Sequence, residues 1–397
     1  MTSNQNFTSF EQSHRDVVLA VDFNLYGTRM ATASADHRVK VYDRKDDAWH
    51  LVDTFGAHDA EITDIKWNGP YMGEIIGTVG EDGRFRLWQE DVTEMPNSGR
   101  RFKYMFETTS DTRVPFMSLD FKNIANTETY VALATRDGFL KVLEPVDHDN
   151  LAGQWHTMWD RYLCKTPERT EETSFKVSFH HERFPCWTAV RAGLDRRALS
   201  LAVTCMDAVK IFRTDKDRRF YQVAELKNAR DLVRDVSWAN GSMRGWDVIA
   251  TASKDGCLRI YELHADANAS LVTDSFGSGS IAESTTLEKN ANSVAHEHKV
   301  GRKHQTALSG IGAGLQGSSG GDRDQRGRQG EGAPKRIKET ATMVEEINLH
   351  RGALWKVAFS QSGDVLASTG DDGTVHTWRR ALDGRWHEYA EVDLASD

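Results

Sequence analysis

Cysteine is scarce in this chain of 397 residues: Cys164, Cys186, Cys205 and Cys257 lie far apart, with no C-x-x-C pair. That argues against a disulfide framework or a zinc site and for a reducing compartment. Cys205 and Cys257 fall in strand patterns and are expected to be small buried hydrophobes. No apolar run approaches the ~20 residues needed to span a bilayer. The N-terminal "MTSNQNFTSFEQSH" has neither a basic start nor an apolar core, so no secretory signal is expected there. A basic excess is also missing. The net charge is −9, which disfavours nucleic acid as the main ligand. There is no Gly-rich phosphate loop, metal-spaced His/Cys set or nucleophile elbow, so no cofactor, metal site or catalytic residue is expected. With 39% hydrophobic and 27% charged residues, the composition is ordinary for a protein with a sizeable core.

What is present is a repeat. "GTVGEDGRFRLW" (77–88) has counterparts in "ATASADHRVKVY" from Ala31, "ALATRDGFLKVL" from Ala132, "ATASKDGCLRIY" from Ala250 and "ASTGDDGTVHTW" from Ala367, with a degenerate "LAVTCMDAVKIF" from Leu201. Each follows an apolar strand such as "DVVLAVDF" (16–23) or "ALWKVAF" (353–359), and a polar, often aromatic segment such as "GRWHEYAEV" (384–392) closes the unit. The turns carry Asp36, Asp82, Asp137, Asp207, Asp255 and Asp372. Four strands per unit, at a period of about forty to fifty residues, mark the blades of a β-propeller. The expected fold is therefore all-β, with six blades stacked around an axis because no blade buries its faces alone.

Histidines recur in step with three of the aspartates. His14 goes with Thr32, Asp36 and Tyr42; His58 with Thr78, Asp82 and Trp88; His350 with Ser368, Asp372 and Trp378. Such a set suits an internal brace in which the imidazole bonds the carboxylate and hydroxyl and the aromatic donor completes the relay. It also invites a Ser/His/Asp nucleophile reading. Repetition favours the brace, since an enzyme needs one nucleophile in one cleft. Blades three and four lack the histidine and the terminal Trp.

These residues resemble the WD-repeat family, with "RLWQED" and "HTWRR" where its Trp-Asp dipeptide would fall. Within it, "RLWQEDVTEMPNSGRRFKYMFE" (86–107), "SWANGSMRGWDVIATASKDGCLRIYEL" (237–263) and the long insertion before the last blade are similar to the Seh-type WD-repeat nucleoporins, paralogues of the WD-repeat subunit of the COPII outer cage. The resemblance implies a non-enzymatic scaffold of the Y-shaped outer-ring complex of the nuclear pore, at the nuclear envelope, supporting mRNA and protein transport. It also implies a place in a vacuolar or lysosomal coat-like complex that regulates the target-of-rapamycin kinase. In both settings the partner would be an α-solenoid protein that donates a blade in trans, alongside the other subunits. No direct nucleic-acid contact or membrane insertion is implied.

The residues meet this implication at the chain's ends. The final blade finds its outer strand after Trp378, and no obvious strand precedes His14 for cross-locking. Blades one and six then face a gap that an added strand or blade could fill. The expected groove is Val17, Leu19, Val21 and Phe23 with Leu354, Trp355, Val357 and Phe359. A ring closed by face packing alone is the plain alternative. The functional rival is an adaptor of the ubiquitin-ligase, chromatin or vesicle-coat type that reads a peptide on its axial face.

The expected segments are a polar tail (1–13), blades one to five (14–264), an insertion (265–343), and blade six with the C-terminal strand (344–397). In the insertion, "GIGAGLQGSSGGDRDQRGRQGEGA" (310–333) holds nine glycines and no aromatic residue. It cannot bury enough apolar area to order itself and is read as disordered. "TATMVEEINL" (340–349) could supply the fourth strand of blade five. "PKRIK" (334–338) reads as an import signal or a plain basic run. "WDRYLC" (159–164) and "RRFYQ" (218–222) mix Arg with aromatics as nucleic-acid platforms do, and as outer strands do as well.

Overall fold

The computed structural model describes residues 13–125, 127–241, 245–265 and 336–393. They form six antiparallel sheets of four consecutive strands each. Blade one comprises β1 (Val18–Phe23), β2 (Arg29–Ser34), β3 (Arg38–Lys45) and β4 (Ala48–Gly56). Blade two comprises β5 (Ile62–Trp67), β6 (Ile75–Gly80), β7 (Arg84–Glu90) and β8 (Phe102–Thr109). Blade three holds β9 (Phe116–Ile124), β10 (Glu128–Thr135), β11 (Phe139–Pro145) and β12 (Trp155–Tyr162). Blade four holds β13 (Val177–Phe179), β14 (Ser200–Cys205), β15 (Ala208–Thr214) and β16 (Phe220–Leu226), with one short helix, α1 (Trp187–Ala192), between its first two strands. Blade five holds β17 (Val233–Ala239), β18 (Asp247–Ser253), β19 (Leu258–Ala265) and β20 (Glu339–Ile347). Blade six holds β21 (Leu354–Phe359), β22 (Val365–Gly370), β23 (Thr374–Arg380) and β24 (Trp386–Asp393). Among the described residues, no helix is long and apolar enough to cross a membrane.

Strand β20 corrects one expected boundary. It pairs with β19 along its whole length, so residues 339–347 complete blade five, and a border at 343/344 would cut a strand. Residues 266–335 and 1–12, which carry most of the expected insertion and tail, lie outside the described residues.

The repeat is legible in the local chemistry. The second strand of blades one to five is covered on both faces, so it is built from side chains small enough to fit, and β2, β6, β10, β14 and β18 are buried almost throughout. The following turn needs a left-handed residue, supplied by Gly83, Gly138, Gly256 and Gly373 at φ between 71 and 79°. His37 takes that place in blade one at φ 66°. In blade four Cys205 pairs directly with Ala208, so Asp207 sits in a tighter two-residue turn than the other five aspartates.

Five apolar clusters hold five blade interfaces. In each, the fourth and sixth residues of a blade's first strand, or the first and third of the three-residue β13, enter the second and third strands of the blade before it. Ile65 and Trp67 meet Ala31, Ala33, Val39 and Val41. Leu119 and Phe121 meet Val79 and Phe85. Val177 and Phe179 meet Ala132 and Leu140. Val236 and Trp238 meet Ala202 and Ile211. Val357 and Phe359 meet Ala250 and Ile260. Among the described residues, no such cluster joins blade six to blade one.

Candidate functional site: the uncovered blade face and the repeated braces

The structure brings each of the three histidine sets together. His58 Nδ1 lies 2.9 Å from Asp82 and its Nε2 lies 2.8 Å from Thr78 Oγ1, which also accepts the Trp88 indole N–H at 3.0 Å. His350 has the same contacts with Asp372 (3.0 Å) and Ser368 (2.9 Å), and Trp378 donates to Ser368 at 3.0 Å. His14 sits 2.9 Å from Asp36 and 2.8 Å from Thr32, which is hydrogen-bonded to the Tyr42 phenol. Each carboxylate also accepts backbone N–H groups around its turn, from Arg15 and Arg38, from Asp59 and Arg84, and from Arg351 and Thr374. Burial pushes these carboxyls up, but the N–H and imidazole bonds outweigh it, and Asp36, Asp82 and Asp372 end below the usual carboxylate range. In blade five the Arg259 guanidinium replaces the imidazole, donating to Asp255 at 2.6 Å.

His350, Asp372 and His376 form one group with metal-ligand atoms close together; His376, Glu388 and Glu391 form another. In the first, both ring nitrogens of His350 already serve the brace, as in His58, so no lone pair is left for a cation. The second is an imidazole with two exposed carboxylates on the outer strands of blade six.

A second device closes the interfaces around the axis. At four of the five interfaces the third residue of a blade's first strand, the fifth, or both accept N–H groups from the first strand of the next blade. Asp22 accepts the Trp67 N–H at 2.7 Å and Asp64 the Leu119 N–H at 3.2 Å. Asp120 accepts the Phe179 N–H at 2.6 Å and Ser118 the Val177 N–H at 3.3 Å. Asp235 and Ser237 accept those of Val357 and Phe359 at 3.1 and 3.4 Å. Axial lysines tune these acids. Burial raises the Asp64 carboxyl, but Lys176, Lys66 and Lys356 outweigh it and lower it; for Asp22 burial prevails over Lys66, and the carboxyl is raised. Between blades four and five the seal is a buried guanidinium: Arg213 donates to Asp247 at 2.6 Å, Glu339 at 2.9 Å and Ser200 at 2.6 Å.

The series ends at blade six. Its two acceptor positions hold Lys356 and Ala358, and the N–H groups of Val21 and Phe23 meet no acceptor from blade six among the described residues. Burial follows suit. Val21 is 43% exposed, whereas Ile65, Leu119, Val177, Val236 and Val357 at the same position are between 0 and 6% exposed. Val17, Leu19 and Phe23 are likewise exposed. The opposite wall is blade six, where Ala367, Thr369, Val375 and Thr377 are half-buried; their counterparts Ala31, Ala33, Val39 and Val41 are fully buried. A cavity of about 530 Å³ runs along the axis, lined by the first strands of all six blades, from Val18–Phe23 of blade one round to Lys356–Ala358 of blade six.

The expected groove residues fall on two different surfaces. Val17, Leu19, Val21 and Phe23 line the uncovered face. Leu354 and Val357 are buried against blade five, and Phe359 packs there too. Trp355 is exposed but belongs to the same side, with the Arg234 guanidinium of blade five 4.0 Å from its ring centre. All blades are oriented alike around the ring, so the face of β21 that matches the open face of β1 is the one blade five covers.

The remaining candidates are engaged internally. Trp159 stacks on Phe220 at 4.9 Å and meets Phe212 at 5.2 Å, so the two Arg-aromatic segments pack on each other between blades three and four and leave no platform for bases. Of "PKRIK", Pro334 and Lys335 lie outside the described residues. Arg336 pairs with Asp215 at 3.2 Å over the Tyr221 ring, and Ile337 is buried among Cys186, Ala189, Leu194 and Ala198. An import receptor would have to pull this half of the segment out of the fold.

Comparison with known proteins agrees with the architecture. Residues 5–43 and 342–379 match the WD domain, G-beta repeat family. The chain is 29% identical to a protein named Nucleoporin SEH1 from Chaetomium thermophilum, over 98% of this chain and 94% of that one. It is 27% identical to Nucleoporin SEH1 of Saccharomyces cerevisiae (93% and 94% covered) and 25% identical to Nucleoporin SEH1 of Homo sapiens (95% and 86% covered). Over nearly its whole length, and on a six-bladed propeller of consecutive four-stranded sheets, the chain is thus similar to WD-repeat nucleoporins of fungi and vertebrates.

Proposed function

We propose that this chain is a non-enzymatic scaffold subunit of the outer-ring, Y-shaped complex of the nuclear pore, at the nuclear envelope, where it supports mRNA and protein transport. An α-solenoid nucleoporin holds it by inserting a blade between blades six and one, beside the other subunits of that complex. The same surface serves a vacuolar coat-like complex that regulates target-of-rapamycin signalling. The names of the relatives support the pore assignment. The observation that carries the binding mode is the face of β1, where Val21 and Phe23 lack both the apolar cover found at the five other interfaces and the side-chain N–H acceptors found at four of them. A donated blade supplies both, through apolar packing and acceptor side chains, over a contact large enough to dissociate slowly.

The test is co-purification of the tagged chain from cells in which Val21→Glu or Phe23→Glu replaces the natural residue. Both residues are exposed, so the variants fold; loss of the α-solenoid nucleoporin from the eluate is the expected result. Retention of that partner by both variants would overturn the binding mode.

A further inference from the structure

The axial edge of the gap between blades six and one presents hydrogen-bond donors on both walls. On blade one they are the N–H groups of Val21 and Phe23. The corresponding N–H groups of Trp67, Leu119, Phe179 and Val357 are taken by Asp22, Asp64, Asp120 and Asp235, whereas these two meet no acceptor from blade six among the described residues. On blade six the donor is the Lys356 ammonium. It stands at the third position of β21, where β5 and β17 carry Asp64 and Asp235.

Lys356 also differs from the other lysines along the axis. Lys66 is 3.1 Å from Asp22 and Lys176 is 3.1 Å from Asp64, and their side chains are 28% and 25% exposed. Lys356 lies 3.5 Å from Asp235, and its side chain is 55% exposed. The Asp235 oxygen it faces is the one that already accepts the Val357 N–H. Blade one does not supply a second carboxylate. Asp22 gives one oxygen to the Lys66 ammonium and the other to the Trp67 N–H, and the third position of β1 is Ala20.

We infer that the innermost strand of the inserted blade is acidic: it brings an Asp or Glu carboxylate against Lys356, beside acceptor side chains for the Val21 and Phe23 N–H groups. This rests on the blade insertion proposed above and adds the chemistry that selects the occupant. Insertion strips water from Lys356, and a buried ammonium without a counter-ion is strongly unfavourable. A carboxylate on the incoming strand removes that penalty and makes a charge-assisted bond. Side chains at alternate positions of a strand share a face, so acceptors two residues apart serve Val21 and Phe23, which are themselves two apart. A strand that is apolar or basic along this edge leaves Lys356 and both N–H groups unpaired. Lys356 thus separates an acidic strand from other apolar strands of matching size.

The complex purified with its α-solenoid partner is treated with a water-soluble carbodiimide, which condenses an ammonium with a carboxylate in contact with it, and the digest is mapped by mass spectrometry. An isopeptide bond between Lys356 and an Asp or Glu of the partner is expected. Cross-linking of Lys356 to Asp235 alone, or to nothing, would overturn the inference, and this arm needs no variant. In a binding assay on the immobilised chain, Lys356→Glu should speed release of the partner about tenfold or more, and Lys356→Gln by less, because removing one member of a desolvated charge pair acts on dissociation. Val21→Glu in the same assay separates the pairing from the insertion. Loss of the partner with Val21→Glu but unchanged release with both Lys356 variants would overturn the pairing and leave blade insertion standing. Retention with Val21→Glu and no Lys356 cross-link would overturn both.

Discussion

The interface between blades one and two and the boundary between blades six and one are built on the same repeat, and they end up opposite. At the first, Ile65 and Trp67 fill a pocket of Ala31, Ala33, Val39 and Val41, and Asp22 accepts the Trp67 N–H. At the second, the matching Val21 and Phe23 are exposed, the matching wall of Ala367, Thr369, Val375 and Thr377 is half-buried, and Ala358 stands where Asp22 would be. A ring that closed on itself would need the sixth boundary to carry the same pattern as the other five. On the proposed reading, the repeat unit specifies its neighbour through a few positions of the first strand, and this chain specifies five neighbours for six blades.

The largest effect should come from cutting a closed interface at its most buried charge. Arg213→Ala leaves Asp247 and Glu339 buried without their cation, and chemical denaturation should show a loss of about 3–5 kcal/mol. Ile65→Ala, at a fully buried contact between blades one and two, should cost about 2–5 kcal/mol in the same assay. Asp82→Ala strands the His58 imidazole and the Thr78 hydroxyl inside blade two and should cost about 1–3 kcal/mol; an unchanged unfolding midpoint would mean that the brace does not support the fold. The smallest effect belongs to Val21→Ala, the equivalent of Ile65 on the uncovered face. In the isolated chain it should shift stability by no more than about 0.5 kcal/mol, and a loss as large as that of Ile65→Ala would mean that blade six covers this face in solution.

Most of the fold was legible from the sequence because its signals are local. The Asp-bearing turns and the small-residue second strands recur from blade to blade, the three histidine sets keep nearly the same internal spacing, and the structure places the brace residues within hydrogen-bonding distance. The wall of the candidate site on blade six was misplaced because the reading followed apolar content. Leu354 and Val357 are the more apolar residues of β21, but alternation points them at blade five. A better signal was present and polar: Asp22, Asp64, Ser118, Asp120, Asp235 and Ser237 recur at the third and fifth positions of the first strands, and Lys356 and Ala358 break the series. The start of β20 was blurred because Glu339 is held by Arg213 from a different blade, a contact no local pattern reveals.

The central claim is that a partner blade occupies the boundary between blades six and one, and amide hydrogen exchange tests it most directly, on the chain alone and in complex with its co-purified α-solenoid partner. In the free chain the amides of Val21 and Phe23 should exchange far faster than those of Ile65 and Trp67, which sit at the same positions of β5. On binding, protection should concentrate in residues 17–23 of blade one and 365–377 of blade six. Protection confined to loops of many blades around the axis, with Val21 and Phe23 unchanged, would contradict the account and point to a peptide-reading adaptor.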